Sequence, residues 1–112
     1  MAISKENKEF ITNLIDYYIS TASSYKDLAI VYKEFTDSVE DTALGMIAGS
    51  VYSSFMQIYQ NQQITPSLED MKEFNEIMQE RSPDIKKAIL ESNSEELSNG
   101  TSEKDSESKQ DE

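Results

Sequence analysis

The chain has 112 residues, 22 of them acidic and 10 basic, with no histidine, cysteine or tryptophan, for a net charge of −12. Those absences exclude disulfide scaffolds, zinc sites built on Cys or His, thiol nucleophiles and any Ser-His-Asp or Cys-His arrangement. The charge argues against nucleic acid as a partner, because phosphate binding needs a basic surface. The length suits one small domain plus a tail.

Met1 to Glu6 lacks the apolar stretch of a secretory signal, so a cytoplasmic protein is the expectation. Apolar residues then recur at helical spacing, and glycine and proline are scarce (three and two). The first helix is predicted over 5–22, capped by Ser4, with Ile11, Leu14, Ile15, Tyr18 and Ala22 inward and Phe10 at the edge. Ser23-Ser24 interrupts the pattern. Ser24 with Asp27 then opens a second helix, 25–35, whose stripe is Leu28, Val31, Tyr32 and Phe35.

Ser38 with Asp41 caps a third helix, 39–60. No charge occurs between Asp41 and Glu69, yet serines and Gln57 dilute the apolar run 43–59, so a buried helix is preferred to a membrane span. One broad face carries Ala43, Leu44, Ile47, Ala48, Val51, Phe55, Ile58 and Tyr59. Gly45, Gly49 and Ser53 form a second ridge, flanked by Met46 and Met56. A helix apolar or small nearly all round is expected at the centre of a bundle, surrounded by neighbours. The glycine ridge reads as a close helix–helix crossing within the chain, or as a homodimer contact.

Thr65 and Pro66 are predicted to start a fourth helix, 66–80, with Leu68, Met71, Phe74 and Met78 inward, and Ser82-Pro83 a fifth, 83–91, with Ile85, Ala88 and Ile89. The expected fold is all-α: a compact bundle of four to five helices, residues 1–91, around a central Gly/Ala-rich helix. Residues 92–112 hold one apolar residue, Leu97, with seven acids and two lysines. They read as a disordered acidic tail of net −5, leaving −7 on the body.

Two acidic clusters invite a metal reading: Asp37, Glu40 and Asp41, and Glu69, Asp70, Glu73 and Glu76. Glu73-x-x-Glu76 loosely fits one motif of the magnesium-dependent all-α nucleotide pyrophosphohydrolases, but Asp37-x-x-Glu40 has the second motif's acids in the wrong order. Acids beside a helix N-terminus are explained by the macrodipole alone. No cofactor and no catalytic residue are therefore assigned. Tyr17, Ile19, Tyr25, Ile30 and Tyr52 fall off the core stripes and form a candidate partner surface. The first functional expectation is a non-catalytic helical interaction module, acting on a protein partner or a second copy of itself. The second is an acidic nucleic-acid mimic that blocks a DNA- or RNA-binding protein; the hydrolase is a remote third.

Overall fold

The computed structural model describes residues 3–92. They form four helices, α1 (Lys5–Ser20), α2 (Ala22–Ile30), α3 (Val39–Asn61) and α4 (Leu68–Glu91), with a 3₁₀ turn at Lys33–Phe35 and, among the described residues, no strand. The expected all-α class is what folds. The predicted acidic tail lies outside the described residues, apart from Ser92.

The caps explain where most helices start. Ser4 Oγ accepts from the Asn7 amide at 3.1 Å, and Ser38 Oγ from the Asp41 amide at 3.0 Å, as the spacing predicts. The fourth helix starts later than expected. Ser67, rather than Thr65, is its cap, and Asp70 completes a reciprocal capping box: its amide donates to Ser67 Oγ and its carboxylate accepts from the Ser67 amide.

The first break also moves, from Ser23-Ser24 to Thr21. The hydroxyls of Ser20 and Thr21 both donate to the Tyr17 carbonyl, at 2.7 and 3.1 Å, competing with the helical ladder there. Thr21 leaves helical geometry at φ −113°, and α2 begins at once with Ala22.

The expected fifth helix does not exist as a separate element. Pro83 lies inside α4, and the chain continues through it to Glu91. Proline there removes one amide donor and costs up to about 3 kcal/mol. Phe74, Met78, Ile85 and Ile89 keep one buried stripe on both sides of it, and their burial, about 1.5–3 kcal/mol per large side chain, offsets the loss.

Polar pairs between helices reveal the topology. Lys8 pairs with Glu73, Asp16 with Arg81 at 2.8 Å, and Lys26 Nζ donates to the Ser92 carbonyl at 3.3 Å. Partner numbers rise together, so α1 and α2 form one broken arm running parallel to α4. The carboxamides of Asn7 and Gln62 pair reciprocally, and Lys86 pairs with Asp41 at 2.6 Å; both place α3 antiparallel to the other two arms.

The core is built on α3. Ala43, Ile47, Val51, Phe55 and Tyr59, four residues apart, form one fully packed ridge. It meets Ile11 and Ile15 of α1, Ala22 and Ala29 of α2, and the α4 stripe, with Phe55 stacked on Phe74 at 4.4 Å. The expectation that neighbours surround this helix is corrected. Gly45, Gly49, Tyr52 and Ser53 all lie on the exposed side.

Candidate interaction surface

Among the described residues, no helix crosses the glycine ridge. A Cβ built on Gly45 or Gly49 meets nothing within 4 Å. Close approach is instead the work of α2, whose inward residues are the alanines Ala22 and Ala29. Flanking Met46 and Met56 are half-buried against the core, and Ser53 is exposed.

The off-stripe aromatics do not assemble into one face. Tyr17, Tyr18 and Tyr25 form an edge-to-face series at the α1–α2 junction, with centroids 5.5 and 5.3 Å apart, in which only Tyr17 is exposed. Ile19 and Tyr25 pack on the core, and Ile30 is half-buried. Tyr52 is partly exposed and rests edge-on against Phe74 of α4, 5.9 Å away.

Three members of the two acidic clusters have structural partners. Asp70 is spent on the capping box, Glu73 accepts from the Ile3 amide and pairs with Lys8, and Asp41 pairs with Lys86, which holds its carboxyl below the usual range. No group of three or more potential ligands among the described residues is placed to hold a metal ion. Nor is any helix among them long and apolar enough to cross a membrane.

A surface absent from the sequence reading emerges on α2. Leu28, Val31, Tyr32 and Phe35, expected as its inward stripe, are 46, 69, 47 and 81% exposed. Amides of Val31, Tyr32 and Phe35 reach back three residues, to the carbonyls of Leu28, Ala29 and Tyr32. The helix thus tightens into the 3₁₀ turn while these side chains stay on its outer side. The expected stripe is inverted: Ala22 and Ala29 pack inward, while Leu28, Val31, Tyr32 and Phe35 lie outward.

The four together present on the order of 400 Å², the size of the largest apolar patch on a typical monomer. Single exposed apolar residues are ordinary, and Phe10 on α1 and Leu90 on α4 are of that kind. Four in successive turns are not. The sequence signal was present but ambiguous, since a period of 3.6 marks a stripe without saying which side of a helix meets the core. Two alanines at the i, i+7 spacing, Ala22 and Ala29, were the only hint that the small side packs inward.

No protein-family model matches this chain, and no curated protein or solved structure matches it either.

Proposed function

We propose that this chain is a non-catalytic helical interaction module that binds a protein partner through the outer side of α2 and the adjoining 3₁₀ turn. The observation that carries this reading is the inversion of α2. Burying a large apolar side chain yields about 1.5–3 kcal/mol, and this fold forgoes most of that gain at Val31 and Phe35 and nearly half of it at Leu28 and Tyr32. A partner that covers them recovers it. Val31 and Phe35, the two most exposed, are its natural anchors.

The chemistry available elsewhere supports the same reading. Within the two acidic clusters, Asp41, Asp70 and Glu73 are taken up by a cap and by ion pairs, with no nucleophile–base pair among the side chains they engage. Affinity capture from the native host tests the proposal, with the full chain compared against a V31S/F35S variant. Proteins retained by the native chain and lost from the variant support it; an identical set on both contradicts it. Light scattering on the two proteins separates a partner from a second copy of the chain.

A further inference from the structure

We infer that the occupant of the Leu28–Phe35 face is a basic amphipathic helix of a partner protein. This inference rests on the interaction-module reading and specifies its ligand. Charge complementarity is the argument. Along residues 28–40, which carry the face and the chain that follows it, Glu34 and Asp37 are exposed and Glu40 is half-buried, against one lysine, Lys33. Asp41, one residue further on, is already paired with Lys86.

An isologous contact with a second copy would bring two such acidic rims, on chains of −12 each, against one another. A helix with apolar residues at i, i+3, i+4 and i+7 and lysine or arginine on its flanks satisfies both the face and its rim.

The test uses the full chain and synthetic helical peptides of about five turns, with binding read by fluorescence anisotropy. One peptide is amphipathic and made of leucine and lysine; a second has glutamate for lysine; a third scrambles the leucine–lysine sequence. The leucine–lysine peptide is expected to bind saturably, and V31S/F35S to weaken it about tenfold or more. Raising salt from 0.05 to 0.5 M weakens it several-fold as the rim is screened. Binding of the scrambled peptide is weak and indifferent to V31S/F35S. Both altered residues are solvent-exposed, and an unchanged circular dichroism spectrum confirms that the variant folds.

Absence of saturable binding, or binding indifferent to V31S/F35S, overturns the inference. Equal, face-dependent binding of the glutamate peptide overturns the charge argument while leaving the interaction reading intact. A native mass of two chains that V31S/F35S returns to one assigns the face to a second copy instead. Face-dependent binding to phosphatidylcholine vesicles assigns it to a lipid surface, and either result overturns the inference.

Discussion

Gln63 sits at φ 61°, in the left-handed region that side chains other than glycine seldom enter. It follows the last turn of α3, where the Ile64 amide reaches the Tyr59 carbonyl at 3.0 Å and the Gln63 amide reaches that of Gln60. This is a Schellman ending with glutamine in the position that glycine usually fills. Gln63→Gly relieves strain of about 1–2 kcal/mol, less the entropy that glycine adds to the unfolded chain, so a net gain of about 0.5–1 kcal/mol is expected in urea denaturation. A second residue ties stability to pH. Burial, and then the neighbouring Asp70 carboxylate, push the Tyr59 phenol above its ordinary value. The unfolded phenol ionises near pH 10, so the folded chain holds that proton more tightly. The stability so contributed is complete below about pH 10 and is lost as pH rises through the folded value. Tyr59→Phe is therefore expected to flatten the fall in stability above about pH 10; an unaltered alkaline limb contradicts the assignment. At this scale the serine caps were readable from sequence, because Ser-x-x-Asp spacing is local chemistry. The choice of Ser67 over Thr65 was readable too, since Ser67 and Asp70 carry the reciprocal pattern, but Pro66 pointed to the neighbouring register.

Helices 2, 3 and 4 each test a different rule. In α3 the open space over both glycines makes them ordinary helix interruptions, so Gly45→Ala and Gly49→Ala should each stabilise by about 0.5–1 kcal/mol. A destabilisation of either, seen as a lowered thermal midpoint, would show that something does lie against that face. On α2 the sign reverses. Ala29 is fully buried, and Ala29→Leu forces extra volume between α2 and α3, costing about 1–3 kcal/mol. In α4, Pro83→Ala restores a ladder hydrogen bond and should gain about 2 kcal/mol once the added freedom of the unfolded chain is subtracted. The periodicity located all of these segments, since spacing alone sets a stripe. It misplaced Leu68, expected inward but 89% exposed at the first position of α4, and it failed at two further points for physical reasons. Proline reads as a helix start because its geometry suits the first turn, yet in-phase burial of Ile85 and Ile89 carries α4 through Pro83. Leu28, Val31, Tyr32 and Phe35 read as core because hydrophobicity normally points inward, and only the packing of Ala22 and Ala29 against α3 decides otherwise.

For the molecule as a whole, three arms of unequal continuity enclose one core, and the broken arm carries the surface that the core leaves uncovered. The helical class and the central stripe of α3 were legible in the sequence; the number and polarity of the arms, the exposed side of α3 and the inversion of α2 were not, because they depend on which faces the helices offer their neighbours. The account stands on the claim that Val31 and Phe35 belong to the outside. Urea denaturation of the V31S/F35S double variant tests this most directly. The account predicts stability within about 0.5 kcal/mol of the native chain, as for surface substitutions generally. A loss of about 3 kcal/mol or more would mean that the two side chains are buried in the fold itself, and that α2 packs the way its sequence first suggested.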